Sequence, residues 1–127
     1  MTARRTKIFF DGGARPNPGA MEIAVVRGGD LHIERHAGQG SSLDAEWLAL
    51  IAALRLARAR GLEDFILLGD AAGVVAQANG TAPARGAAAA HLAAFRAVIG
   101  DGPAPRVRHI GRAQNQAGIA LSRLHPR

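Results

Sequence analysis

Hydrophobic and polar positions change their period several times along this chain, and each change marks an element. Lys7-Ile8-Phe9-Phe10 is short, β-prone and followed by glycines, which predicts a first strand. A Pro/Gly-rich loop leads to Met21–Arg27, a second strand. Gly28-Gly29-Asp30 supplies a hairpin turn, and Leu31–His36 alternates apolar and polar residues with period two, closing an antiparallel meander. His32, Glu34 and His36 fall on the polar side of that third strand and read as a solvated face. The period then becomes helical. Trp47, Leu50, Ile51 and Leu54, widened by Leu48 and Leu56, predict a helix from about Leu43 to Arg60 that lies against a sheet. Ser41 or Ser42 can cap it, Asp44 suits its first turn, and Gly61 ends it.

Asp64–Gly69 is an apolar strand that ends at Asp70. A short helix from Ala72 to about Asn79 follows, then a loop over 81–86. An Ala-rich helix spans Ala87–Ile99, with Leu92, Phe95, Val98 and Ile99 inward. Asp101-Gly102-Pro103-Ala104-Pro105 breaks the pattern, Arg106–Ile110 alternates as a strand, and a last helix runs from about Asn115 to Arg123. The tail from Leu124 is expected to fray. The order βββαβααβα predicts an α/β fold: a mixed five-stranded sheet flanked by helices, in one domain over residues 1–127.

Composition narrows the class. The chain has 127 residues, enough for one domain with a real core, and 48% of them are hydrophobic. No apolar run approaches the ~20 residues of a membrane span, and no h-region follows the basic N-terminus. Cysteine is absent, which removes disulfides and thiolate metal sites and agrees with a cytoplasmic location. Sixteen Lys+Arg against ten Asp+Glu give +6, and Lys7 is the single lysine. Arginine suits phosphate through its forked donors, although a solvated Arg-rich surface explains the same excess.

The acids decide the chemistry. Asp11 follows the first strand and opens Asp11-Gly12-Gly13-Ala14-Arg15-Pro16-Asn17-Pro18-Gly19, a stretch that reads locally as a turn. Asp70 follows the fourth strand. Glu46 lies early in the first helix, beside Trp47, where a buried carboxylate needs a partner or a metal. If the first and fourth strands are parallel neighbours, Asp11 and Asp70 emerge side by side, at the strand ends where ligands gather in α/β sheets, and Glu46 can reach them. Three converging carboxylates require a cation, and hard oxygen ligands favour Mg²⁺ or Mn²⁺. Beside a basic surface, that arrangement points to metal-assisted phosphodiester chemistry.

These residues resemble type 1 ribonuclease H, the hydrolases that cut the RNA strand of RNA–DNA hybrids. The resemblance runs from Lys7 to about Arg123. It is carried by the Asp11–Gly19 block, by Ala45-Glu46-Trp47-Leu48-Ala49-Leu50-Ile51-Ala52-Ala53-Leu54, by Gly69-Asp70 and by Arg112-Ala113-Gln114-Asn115. It implies a ribonuclease H-like fold and two Mg²⁺ or Mn²⁺ ions, with Asp11 bridging them and Glu46 and Asp70 completing one. In-line attack by a metal-bound water would leave a 5′-phosphate and a 3′-hydroxyl. It further implies contacts to the hybrid from Gly12, Gly13, Ala14, Arg15 and Asn17, from Ser42, where the family usually carries an Asn, and from Arg112 and Asn115. Capping is an equal alternative for Ser42. The 2′-hydroxyls are what such contacts can read.

The chain departs from the family at one point above all. Its fourth acid falls four residues after the Asn that matches Asn115, a position held here by Ile119, and no Asp or Glu follows Asp101. The ion holding the attacking water should bind more weakly, which lowers the rate more than hybrid binding. Leu43, Ala71 and Ala72 replace polar residues common in relatives. The histidine that some relatives place before Asn115 is missing, although Arg112 matches a pattern that others share. His125 is a conceivable substitute, with a solvated tail histidine as the default. Three readings follow: a slow hybrid endonuclease, a non-cleaving nucleic-acid-binding module on the same fold, or a small α/β interaction protein with structural acids. A monomer without membrane association is the default for each.

Overall fold

The computed structural model describes residues 5–125. Its elements are β1 (Thr6–Ala14), β2 (Gly19–Arg27), β3 (Asp30–Glu34), the two-residue β4 (Gln39–Gly40), α1 (Ser42–Ala59), β5 (Phe65–Gly69), α2 (Ala72–Ala78), α3 (Ala87–Ile99), β6 (Arg106–His109) and α4 (Gln116–Arg123). A 3₁₀ turn over Arg112–Gln114 precedes α4. The main sheet runs β3-β2-β1-β5-β6, with β4 attached to β2. β1–β2 and β2–β3 are antiparallel, whereas β1–β5 and β5–β6 are parallel. This is the mixed five-stranded sheet that the sequence predicts, with β4 as an addition too short to leave a pattern.

Strand alternation divides the core between the two faces of the sheet. On one face Ile8, Phe10 and Leu67 pack with Trp47, Leu50 and Leu54 of α1 and Phe95 of α3. These side chains are completely or almost completely buried; each such burial contributes roughly 1.5–3 kcal/mol. On the other face α4 brings Ala117 and Leu121 against Ala24 and Val26. The start of α1 is fixed by a capping box, in which the Ser41 hydroxyl accepts from the Asp44 N–H and the Asp44 carboxylate accepts from the Ser41 N–H. His91 of α3 meets the same carboxylate at 2.8 Å and stacks on Trp47. The Ser41 N–H and His91 hold Asp44 below its ordinary pKa.

Three boundaries differ from the sequence reading. β1 does not end at Phe10: it continues through Asp11, Gly12 and Gly13 to Ala14, because β2 pairs with that whole length. Asp11 therefore sits within a strand, opposite Ala24, and the turn comes later, over 15–18. β3 stops at Glu34, so His36 leaves the row of His32 and Glu34. The tail is not frayed where it is described. Leu124 packs on the α4 cluster, and His125 bonds to Glu22. Residues 1–4 of the basic N-terminus, and Pro126 and Arg127 of the tail, lie outside the described residues. No helix among the described residues is long and apolar enough to cross a membrane.

Glycine is required where α1 crosses β1. A Cβ on Gly12 would collide with the backbone carbonyl of Ala45, whereas one on Gly13 would meet nothing within 4 Å. Gly12→Ala should therefore lower stability by about 2 kcal/mol or more by forcing two backbones apart. Gly13→Ala should stay within about 0.5 kcal/mol of the parent. Urea unfolding of the two variants checks the contrast.

Candidate active site

The parallel pairing of β1 and β5 ends at Phe9–Leu68, so Asp11 and Asp70 leave adjacent strands at one edge. Glu46, in the second turn of α1, is buried and comes in from the helix above Gly12. One oxygen from each of Asp11, Glu46 and Asp70 lies within 4.8 Å of the others. The three carboxylates that the sequence singles out are thus brought together. They line a cleft of about 460 Å³ with Ser42, Arg112, Gly118, Ile119 and Ser122. A separate apolar cleft of about 540 Å³, between α1 and β2–β3, contains none of the candidate residues.

Each acid is held differently. Glu46 Oε1 accepts the Gly12 N–H at 2.5 Å, the direct consequence of the close helix–strand crossing. Its Oε2 is buried without a donor. Asp70 Oδ2 accepts from Asn115 Nδ2 at 3.0 Å. Asn115 is fully buried and has no group left to offer a ligand: Nδ2 also donates to the Phe10 carbonyl, and Oδ1 caps α4 by accepting the Ala117 N–H. Both N–H bonds of its side-chain amide are thus made within the fold. It ties β1, Asp70 and α4 into one unit.

Burial pushes the Glu46 carboxyl up to about 10, reinforced by its hydrogen bond to Asp11 and by the charges of Asp11 and Asp70, against the pull of the Gly12 N–H. Burial also raises Asp11, as does Asp70, while Glu46, the Gly12 N–H and Arg112 oppose the rise. An orphaned buried carboxylate oxygen beside two further carboxylates, with no nitrogen or sulfur donor, fits a hard divalent cation.

The remaining sequence candidates form the surroundings. Ser41, not Ser42, caps α1. Ser42 instead accepts the Ala14 N–H through Oγ and donates its own N–H to Asn17 Oδ1. These bonds fasten the β1–β2 turn to the start of α1. Arg112 reaches the cleft, whereas Arg15 lines a different pocket. Ala14 is buried, so only its backbone serves the turn. His125 is bonded to Glu22 and does not line the carboxylate cleft. Gly118 and Ser122 are site residues that the sequence reading passed over. A Cβ on Gly118 would stand 3.3 Å from Asp11 Oδ2. Their helical spacing about Ile119 was the available signal. Ile119 itself is 40% exposed in the same cleft.

A mixed sheet in this order, with three carboxylates converging from β1, α1 and the end of β5, defines a ribonuclease H-like domain. The family model described as reverse transcriptase-like matches residues 27–125. Among solved structures, RNase H1 from the halophilic archaeon Halobacterium salinarum NRC-1 is 30% identical, with a TM-score of 0.78 over 93% of this chain and 94% of that one. LC11-RNase H1, isolated from compost by a metagenomic approach and solved in complex with an RNA/DNA hybrid, is 27% identical, with a TM-score of 0.79 over 92% and 93%. The N-terminal RNase H domain of rv2228c from Mycobacterium tuberculosis, at 22% identity and a TM-score of 0.73 over 98% and 100%, shares the fold. No curated protein sequence matches. The chain belongs to the type 1 ribonuclease H family.

The raised acids carry a pH signature. Between the ordinary carboxylate value of 4.5 and about 10, folded Glu46 keeps a proton that the unfolded chain has released. The native state then binds more protons, so stability falls as pH rises through that window. In chelator, Glu46→Gln should flatten this fall and raise stability at pH 8 by about 2 kcal/mol or more, because a neutral amide replaces an acid whose ionised form is buried and repelled. Thermal unfolding from pH 5 to 9 tests both statements. A parent whose stability rises across that range would contradict them.

Proposed function

We propose that this protein hydrolyses the RNA strand of RNA–DNA hybrids in a reaction dependent on Mg²⁺ or Mn²⁺, with Asp11, Glu46 and Asp70 as catalytic and metal-binding residues. The observation that carries the reading is the approach of three carboxylate oxygens to within 4.8 Å, at the edge of a ribonuclease H fold. LC11-RNase H1, solved with an RNA/DNA hybrid, supports the choice of substrate. A single copy of the chain acting on the hybrid in the cytoplasm belongs to the same reading.

Bound by these carboxylates, a pair of divalent ions would neutralise phosphate charge and make water a competent nucleophile at neutral pH. The protein's own part is positioning. Asp11 stands between the other two acids, Glu46 is held by the Gly12 N–H, and Asp70 is held by Asn115. Arg112, on the rim of the cleft, offsets the charge of an incoming phosphate. The backbone of Gly12, Gly13, Ala14 and Arg15 borders the RNA strand. Asn17 meets that strand through its amide NH₂, since Oδ1 is taken by Ser42. The water oxygen bonds to phosphorus as the P–O3′ bond breaks. The 3′-oxygen leaves with a proton, and the phosphate stays on the 5′ side.

Ile119 favours a second reading, a hybrid-binding module without cleavage. The apolar side chain stands in the cleft and offers a cation nothing, and by the resemblance of the Asn115 segment it falls where the family carries a fourth acid. The two readings part on cleavage of a labelled RNA–DNA hybrid in Mg²⁺ and then Mn²⁺. On the leading reading the parent cleaves slowly, Asp11→Asn loses about 100-fold or more, and Ile119→Asp gains about tenfold or more, equivalent to ~1.4 kcal/mol of barrier. Hybrid binding without cleavage by the parent would establish the binding module instead. Neither binding nor cleavage would leave the fold alone as the likeness.

A further inference from the structure

Two residues beyond Asp11 on β1, the same face of the sheet carries a second polar cluster. Gly13 pairs with Glu22 as Asp11 pairs with Ala24, so Glu22 is the diagonal cross-strand neighbour of Asp11, on the side of β1 away from β5. Helix α4 crosses this face. It contributes Gly118, Ile119 and Ser122 to the carboxylate cleft, and its last turn delivers His125 to a pocket of about 360 Å³ with Arg15, Glu22, Arg35 and His36.

Glu22 is buried, and both of its oxygens are engaged. Oε2 accepts from Arg35 Nε at 3.1 Å, and Oε1 bonds to His125 Nε2. The carboxylate is an anchor beneath the pocket rather than a free ligand. It bonds Arg35 through Nε, and neither terminal guanidinium nitrogen of Arg35 makes an ion pair among the described residues. Arg15 makes no ion pair among the described residues, while its N–H bonds to the Ala20 carbonyl and holds the turn. Two guanidinium groups against one carboxylate leave the pocket positive before either histidine is counted. Forked donors of this kind fit the paired oxygens of a phosphate.

We propose that Arg15 and Arg35, with His36 and His125 beside them and Glu22 as the anchor, form a subsite for a backbone phosphate of the RNA strand next to the one hydrolysed. The inference rests on the hybrid-cleaving reading and joins to Arg15, which lies in the first block that carries the family resemblance, three side chains outside those blocks: Arg35, His36 and His125. The RNA strand is the occupant because Arg15 continues the Asp11–Ala14 segment that borders that strand in the proposed function, and it lines the pocket.

The test is fluorescence anisotropy of a labelled RNA–DNA hybrid with the full chain, in Ca²⁺, over a range of salt. Arg15→Gln and Arg35→Gln should each weaken binding about three- to tenfold and reduce the log Kd against log salt slope by about one, the mark of a lost phosphate contact. Arg35→Gln disturbs Glu22, so Arg15→Gln, which breaks no ion pair, stands as the independent variant. An uncharged phosphonate linkage beside the cleavage position in the RNA should weaken the parent by the same factor and leave Arg15→Gln unchanged. Parent-like binding and salt slope in both variants overturn the subsite while the parent still binds and cleaves. Equal loss from the phosphonate in parent and variant, or sensitivity confined to the DNA strand, also overturns it. A parent that neither binds nor cleaves the hybrid overturns the functional reading, and the subsite with it.

Discussion

The site depends on one close approach, that of the α1 backbone to the β1 backbone at Gly12. With no Cβ in the way, the Ala45 carbonyl lies against the strand, and the Gly12 N–H reaches Glu46 Oε1 at 2.5 Å. A side chain there would push the helix outward and carry Glu46 away from Asp11. The apolar face of α1 makes the approach favourable: Trp47, Leu50 and Leu54 bury themselves against Ile8, Phe10 and Leu67. Packing free energy in the core thus offsets the unfavourable assembly of three acids at its edge. Because the acids share a low-dielectric space, their repulsion is strong, which is the condition under which a cation binds well.

Much of this was legible in the sequence. Changes of period located the main elements, and the inference that β1 and β5 run parallel side by side brought Asp11 and Asp70 together before Glu46 was considered. What local rules could not show was tertiary pairing. Asp-Gly-Gly reads as a turn in isolation, yet β2 pairs with Gly12 and Gly13 and keeps them in the strand. The resemblance marks Asn115 as a contact to the hybrid, and local rules could not show its place in the fold for a related reason. Its burial follows from α4 lying across β1, and its partners Phe10 and Asp70 are 105 and 45 residues away. Glu22 and His125, separated by 103 residues, gave no joint signal at all.

Helix α4 therefore does more than cover the second face of the sheet. Asn115 caps it and orients Asp70 with the same amide, so the register of the helix and the position of one of the three clustered carboxylates are set by one buried group. Gly118, one turn in, lets the helix pass 3.3 Å from Asp11 Oδ2 at the Cβ position. His125 secures the far end on Glu22, where the bonds from His125 and Arg35 outweigh burial and hold that carboxyl below its ordinary value. The helix is pinned at both ends by polar contacts, with a small apolar patch, Ala117 and Leu121, between them.

That mounting gives Ile119 a definite physical meaning. Its position is neither buried nor remote: it is held in the cleft by a helix fixed on either side. An acid there would join Asp11, Glu46 and Asp70 in a space where burial and mutual charge already push Glu46 up to about 10. Isoleucine avoids that added repulsion in the cation-free protein and removes the oxygen that would repay it when a cation binds. Position 119 thus trades cation binding against cation-free stability, at the rim of a site whose other members are fixed by the fold. On the proposed function, the positive charge for hybrid binding lies elsewhere, on Arg112 at the cleft and on Arg15 and Arg35 beyond it. On that reading, affinity for the nucleic acid and competence at the scissile bond rest on different residues and can change independently.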